Sequence, residues 1–191
     1  MLYLNQRDYS HIPYMHDTDH GGAPEERRNV GTSGCGLCCL CMAVEHLTGK
    51  ILELTECVRL SEESGANFCA GCSMRILGPI VAEQYGLTFS RTGDVDRLIA
   101  HLQAGGEAIV NVRKREDGSP GIFTARGHYM LLTAVNGSEV TILDPNYAKN
   151  KFKAQEKAGL IRVEEPFLYC DLATLVAEAR CEQPYYLFGK A

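Results

Sequence analysis

The chain has 191 residues, of which 45% are hydrophobic and 23% are charged, and its net charge is -5. This length and composition are typical of a globular protein with a substantial core. The acidic balance offers no electrostatic basis for binding nucleic acid or an anionic membrane surface. No apolar run approaches the roughly 20 residues of a membrane-spanning helix.

The cysteines and the start of the sequence indicate the compartment. The sequence turns polar after four residues, which is not the pattern of a secretory signal. The nine cysteines are odd in number and clustered, unlike a disulfide framework. Both features favour reduced thiols and a cytoplasmic location. Export by a route without a leader, for instance as a phage component, is left open.

Helices are predicted in the first half of the chain. Residues 1–33 are rich in charge, Gly and Pro and show no periodicity, so a loop is expected there. A helix buried on nearly every side should begin just after Cys35 and end near Thr48, because the apolar run of residues 37–44 is followed by Gly49. Shorter helices are predicted over residues 55–63, 73–85 and 94–102.

Strands are predicted in the second half, over residues 107–113, 128–135 and 139–144. Both faces of the second are apolar, which predicts a central strand. A strand around residues 166–170, a helix from Asp171 to about Arg180 and a strand over residues 185–190 complete the set. Helices first and mostly antiparallel strands afterwards predict an α+β fold. We expect one domain over residues 1–191, helical to about residue 105 and mainly sheet from about residue 106.

Cys35 lies between two glycines where a loop enters the predicted buried helix. The positive end of a helix dipole lowers the pKa of a thiol at that position and favours the thiolate. Flanking glycines would let a substrate backbone approach closely and would free local N–H groups to face an oxyanion. None of the other cysteines combines these features, so Cys35 is the predicted nucleophile.

A thiolate nucleophile needs a base and a residue that orients the base. His128 begins the predicted central strand, and Asp144 ends the next one. A two-residue Asn-Gly turn between these strands would place the two side chains on opposite faces of the sheet. A three-residue turn over residues 136–138 would place them on one face. We therefore predict the longer, bulged turn, and a triad of Cys35, His128 and Asp144 that depends on it.

The segments "SGCG", at the start of the buried helix, and "GHYMLLTAV…VTILDPN" resemble papain-like cysteine peptidases, specifically the bacteriocin-processing (double-glycine) peptidase-like family. "LNQRDYSHIPY", "LTGK" and "YYLFGK" are similar to its bacterial stand-alone members. The resemblance implies the same Cys35–His128–Asp144 triad. It also implies an oxyanion hole formed by the Cys35 N–H and Gln6, and a helix packed against a small antiparallel sheet with a cleft between them.

The residues after the Cys-Gly pair depart from that family. Its members usually have Pro and then Ser or Thr there, whereas this chain has Leu37 and Cys38. The change should affect helix packing more than chemistry. Cys38, Cys39 and Cys41 replace small hydrophobic residues inside the apolar helix, so we interpret them as core residues.

Metal binding is the main competing hypothesis for the cysteines. Cys35-x-x-Cys38 and Cys69-x-x-Cys72 together imitate a four-cysteine zinc site, but their separation exceeds the usual zinc-ribbon spacing. Cys69 and Cys72 could still form a separate redox or metal pair. The segment "HDTDH" at residues 16–20 is interpreted as a solvated loop, because no predicted helix fixes the spacing of its histidines.

The sequence thus predicts a soluble cysteine peptidase that acts on a peptide or protein substrate, with no metal and no other cofactor. Acyl transfer on the same triad is the alternative among enzymes, since cleft shape and not the triad selects the acceptor. A non-catalytic peptide-binding domain and a zinc-binding domain are the alternatives from other classes. The sequence does not specify the substrate or the oligomeric state.

Overall fold

The computed structural model describes residues 1–15, 28–67, 71–154, 157, 159–179 and 181–191. In chain order, its elements are a 3₁₀ turn (Gln6–Tyr9), α1 (Val30–Ser33), α2 (Cys35–Thr48), α3 (Leu54–Glu63), α4 (Met74–Tyr85), β1 (Leu87–Thr92), α5 (Val95–Gln103), β2 (Glu107–Arg113), β3 (Gly127–Asn136), β4 (Glu139–Leu143), β5 (Arg162–Glu164), β6 (Phe167–Asp171), α6 (Leu172–Glu178) and β7 (Tyr185–Lys190). None of the helices in these ranges combines the length and apolar composition needed to span a membrane.

Helix α2 is the central helix of the molecule, and its predicted bounds are confirmed. Every residue from Gly36 to Val44 is buried, which explains the unbroken apolar run. Gly49 ends the helix in a left-handed conformation (φ 70°), and its N–H donates to the Glu45 carbonyl oxygen at 2.8 Å. Glycine adopts this conformation without the steric cost that a Cβ would impose.

The seven strands form one sheet in the order β1-β7-β2-β3-β4-β6-β5, and all neighbours are antiparallel. Strand β3 lies in the middle, as its two apolar faces predicted. The expectation of an α+β fold with a mostly antiparallel sheet is therefore confirmed. The predicted division into a helical half and a sheet half does not hold for strand β1. This strand comes from the first half of the chain and joins the sheet beside the C-terminal strand β7.

Helices cover both faces of the sheet. On one face, α2, α3 and α4 pack against a layer of buried residues that includes Ile109 and Leu131. On the other, α5 and α6 contribute to a second layer that includes Val110 and Met130. Successive residues of β2 and β3 alternate between the two layers, as the period-two geometry of a strand requires.

The turn between β3 and β4 differs from the prediction. Asn136 pairs with Glu139, so the loop consists of two residues, Gly137 and Ser138, and not of the expected three. Gly137 has a φ of 61°, which a two-residue hairpin turn requires and glycine readily supplies. Continued without interruption, this pairing would place His128 and Asp144 on opposite faces of the sheet.

A β-bulge restores the register that the site needs. The pairing shifts at Thr133, so that Leu132 pairs with Ile142 and Leu131 pairs with Leu143. Between the bulge and the open end of the hairpin, the extra residue changes which side chains of the two strands share a face. His128 and Asp144 consequently lie on the same face. The predicted register at this end of the hairpin is confirmed, but the bulge in the strand produces it, whereas a longer turn was expected.

Candidate active site

A tight turn between two helices places Cys35 at the first residue of α2. The short helix α1 ends at Gly34, whose N–H donates to the Val30 carbonyl oxygen at 2.7 Å. A Cβ added to Gly34 would lie 2.6 Å from that same oxygen, so a glycine is needed for the close approach. Because Cys35 is the first residue of the buried helix α2, the positive end of the helix dipole lies at its thiol.

The Cys35 thiol lies beside the His128 side chain and the backbone N–H groups of Tyr129 and Gly36, all of which favour its thiolate. Burial alone would raise the pKa of this thiol. The hydrogen bond and charge of His128, together with the two N–H groups, outweigh burial, and the net result is a lowered pKa. By contrast, burial raises the pKa of Cys38 and Cys39 well above the ordinary value of a thiol. Cys35 therefore has the environment of a nucleophile, whereas these two neighbours do not.

His128 is 5% exposed, and its Nε2 donates to the Asp144 Oδ1 at 2.7 Å. Burial tends to lower the pKa of the imidazole. The charge and hydrogen bond of Asp144 and the contact with Cys35 outweigh this and raise the pKa to about 9. The raised pKa of the imidazole and the lowered pKa of the thiol together favour an imidazolium beside a thiolate over two neutral side chains.

Asp144 is completely buried and accepts several hydrogen bonds. Its Oδ1 accepts from His128 Nε2 and from the Asn146 backbone N–H at 2.8 Å, and its Oδ2 accepts from Lys151 Nζ at 2.6 Å. The Tyr3 hydroxyl donates to the Asp144 carbonyl oxygen at 2.8 Å. Burial would raise the pKa of this carboxyl, but His128 and then Lys151 outweigh it and hold the pKa well below its usual range. Asp144 therefore remains a carboxylate at all pH values at which the chemistry would operate.

Gln6 is 3% exposed and anchored between the segment after Asp144 and the helix before Cys35. Its backbone N–H donates to the Pro145 carbonyl oxygen at 2.7 Å, and its Nε2 donates to the Gly31 carbonyl oxygen at 2.9 Å. One hydrogen of the side-chain amide is used in this way, which leaves the second for another acceptor. Among the described residues, its Oε1 has no hydrogen-bond partner.

The glycine after Cys35 has a different role from the expected one. A Cβ on Gly36 would lie 2.3 Å from the Cys72 Sγ and 3.1 Å from the Tyr129 ring. Gly36 therefore makes room for protein side chains, and the expectation that both flanking glycines open the backbone to a substrate is wrong for Gly34 and Gly36 alike. Cys72 is 7% exposed, and burial raises its pKa.

Several predictions about metal binding concern residues that the structure does not describe. Cys69 and the "HDTDH" segment at residues 16–20 lie outside the described ranges. In the described ranges, no group of three or more His, Cys, Asp or Glu side chains is arranged to hold a metal ion. Cys38, Cys39 and Cys41 are 0% exposed, which confirms that they are core residues.

Lys151 is the site residue that sequence reasoning missed. It lies in the loop after β4, in the segment "NYAKNKFK", which carries three lysines with no feature that distinguishes one from another. Only the folded loop shows which of them reaches a buried carboxylate.

The described part of the chain also contains two cavities away from these residues. One, of about 470 Å³, is lined by Arg115, Glu116, Asp117 and Ala177. The other, of about 670 Å³, lies at the far end of α2, where His46 and Glu107 contribute to its wall. Neither of these two is lined by Cys35, His128 or Asp144, so the candidate site is identified by the His128–Asp144 hydrogen bond and the neighbouring Cys35 thiol.

Neither a protein-family model nor a curated protein matches the sequence. Among solved structures, the chain is similar to the crystal structure of a Bacillus anthracis protein that is described, provisionally, as a C39-like peptidase. The TM-score is 0.56 at 12% sequence identity, and the likeness covers 95% of this chain and 96% of that one. At this identity the comparison establishes that the two proteins share a fold.

Proposed function

We propose that the protein is a papain-like cysteine peptidase whose nucleophile is Cys35, whose base is His128 and whose orienting carboxylate is Asp144. One observation carries the proposal: the three side chains lie together at the N-terminus of a buried helix, with Asp144 hydrogen-bonded to His128 and His128 beside the Cys35 thiol. The likeness of the fold to a C39-like peptidase supports a peptide or protein substrate. The short motifs that resemble the bacteriocin-processing peptidase-like family support a place near that group.

In the proposed mechanism, peptide hydrolysis proceeds through an acyl-enzyme in two stages. The Cys35 thiolate attacks the peptide carbonyl carbon, and the His128 imidazolium then donates its proton to the leaving amine. Neutral His128 next removes a proton from water, which attacks the acyl-enzyme and releases the second product. Asp144 holds the imidazole ring in place throughout and stabilises its positive charge. The mechanism uses only groups of this chain and needs no other reactant than water.

The tetrahedral intermediates carry an oxyanion that requires hydrogen-bond donors. The Cys35 backbone N–H is one donor in this proposal, and the free amide hydrogen of Gln6 is the second. Two contacts support the role of Gln6: its backbone bond to the Pro145 carbonyl and its side-chain bond to the Gly31 carbonyl. Together they fix the amide in a buried position between the segments that carry Asp144 and Cys35.

Replacing Gln6 with alanine is expected to lower kcat by about 100- to 1,000-fold with little change in KM, because an oxyanion donor acts mainly in the transition state. The measurement is steady-state kinetics on any cleaved peptide. The rate at which iodoacetamide labels Cys35 serves as the control, since a donor to the oxyanion does not activate the thiol. A variant that labels normally and cleaves at the wild-type rate would remove Gln6 from the mechanism.

The function itself is tested with a broad peptide library, in which new termini are detected by mass spectrometry. We expect cleavage by the reduced protein and none after alkylation of Cys35. If products appear only when an amine or thiol acceptor is added, the protein is an acyl transferase on the same residues. If Cys35 is reactive and yet no peptide in the library is cleaved or transferred, the peptidase proposal fails.

A further inference from the structure

Lys151 makes an ion pair with the carboxylate that orients His128. Its Nζ lies 2.6 Å from the Asp144 Oδ2, and it also donates to the Asn146 carbonyl oxygen at 3.3 Å. The side chain is 14% exposed, and the carboxylate is completely buried. Because solvent screens a buried pair weakly, this ammonium acts on the site far more strongly than a surface lysine would.

Two turns in the loop after β4 bring Lys151 back to the site. The Tyr147 N–H donates to the Asp144 carbonyl oxygen at 3.2 Å, and the Lys151 N–H donates to the Ala148 carbonyl oxygen at 2.8 Å. The Lys151 Nζ also lies 5.7 Å from the centre of the Phe152 ring. The ammonium is therefore held at the carboxylate by its own backbone and its surroundings.

We propose that Lys151 is a positioning residue that holds the Asp144 carboxylate and sets the pH range in which the Cys35–His128 pair is active. The proposal rests on the proposed function, but its physical core concerns only the charge state of His128. Asp144 offers one oxygen to each of two cations, His128 on Oδ1 and Lys151 on Oδ2. The two cations repel each other, so Lys151 opposes the imidazolium that Asp144 favours.

The other ionisable groups around the Asp144 carboxylate do not place a second positive charge beside His128. Tyr3 approaches from the N-terminal segment, and Cys39 from α2 acts on Asp144 through its charge when ionised. Burial raises the pKa of both, so both are neutral in the working range. Cys35 is the remaining group of the pair, and it is negative in the active form. Among the described residues that bond to the Asp144 side chain, Lys151 is thus the positive charge that competes with His128.

The size of the effect follows from the distance. Two nitrogens bonded to opposite oxygens of one carboxylate are roughly 5–7 Å apart. At the effective dielectric of a protein site, one unit charge at that separation shifts the pKa of the neighbouring group by about one unit or more. Loss of the lysine charge should therefore raise the pH at which His128 loses its proton. It should also raise the pH at which Cys35 ionises, by a smaller amount because the thiol is farther away.

The test replaces Lys151 with methionine, which keeps most of the aliphatic stem and removes the charge. Titration of the His128 imidazole is followed by ¹⁵N NMR, which needs no substrate. We expect a wild-type midpoint near 9 and an upward shift of about one unit in Lys151→Met. The alkaline limb of kcat/KM should move by the same amount. Lys151→Arg should restore most of the wild-type midpoint, and Lys149→Met, a change at an exposed lysine of the same loop, should leave it unchanged.

The outcomes separate this inference from the proposed function. A shifted His128 midpoint without peptide cleavage would support the role of Lys151 and reject the peptidase. An unshifted midpoint in Lys151→Met would overturn the inference, even if the variant were less stable, because a purely structural lysine changes the melting temperature and not the titration. Lys151→Gln, which can still donate to Oδ2, is the second neutral variant if the methionine variant does not fold, and the same upward shift is expected for it.

Discussion

Replacing Cys35 with alanine is expected to abolish peptide cleavage, with a loss in kcat/KM on the order of 10⁴- to 10⁶-fold. The substitution removes the only atom that forms the covalent bond to substrate in the proposed mechanism, so any residual rate comes from binding and oxyanion stabilisation alone. The measurement is cleavage of the best peptide from the library at equal concentrations of folded protein.

Cys39→Ala is the matched control for this experiment. Cys39 lies on the same helix and is 0% exposed, and burial raises its pKa. Its replacement also deletes one sulfur atom, but from the core, so a modest loss of stability without a comparable loss of rate is expected. If Cys35→Ala cleaved peptides as the wild type does, the proposed nucleophile would be wrong.

Replacing His128 with alanine is expected to lower kcat/KM by about 10³- to 10⁶-fold near neutral pH. Two losses combine in this variant. Without the imidazolium, the strongest influence that lowers the pKa of Cys35 is gone, while burial still raises it. The leaving amine also loses its proton donor. The wild-type rate should fall above pH 9 or so, since the imidazolium that titrates at about 9 is then lost.

His101→Ala provides the comparison for the His128 variant. His101 Nε2 donates to the Phe188 carbonyl oxygen at 2.9 Å, which identifies it as a packing residue between α5 and the sheet. Its loss should lower stability and leave the pH dependence of cleavage unchanged. A His128→Ala variant with normal activity above and below pH 9 would show that another group serves as the base.

The elements that the sequence predicted well have strong local signals. The bounds of α2 follow from an unbroken apolar run that ends at a glycine, and β2 and β7 follow from apolar runs that the sheet buries. Strand β1 was missed because its middle residues are only half-buried and its partner, β7, lies almost 100 residues away. Helix α1 was missed because four residues are too few to show a period.

In the candidate site, too, some features could be predicted from the sequence and others could not. Cys35, His128 and Asp144 could be singled out from their positions at the ends of predicted elements. The structure joins His128 to Asp144 by a hydrogen bond and places Cys35 beside His128. The register that brings the last two together depends on a bulge at Thr133, for which the sequence "LLTAVNG" carries no local signal. The contact of Lys151 with Asp144 depends on how a loop folds back, which only tertiary packing determines.

The most direct test of the proposed mechanism is timed labelling with iodoacetamide at pH 6, read for each cysteine by peptide mass spectrometry, with wild type beside His128→Ala. We predict that Cys35 is labelled rapidly in the wild type and much more slowly in the variant, because only a thiol with a lowered pKa is a thiolate at that pH. Cys38, Cys39 and Cys41, which are 0% exposed, should remain unlabelled in both proteins. A Cys35 that is unreactive, or that reacts equally fast in both proteins, would contradict an activated Cys35–His128 pair.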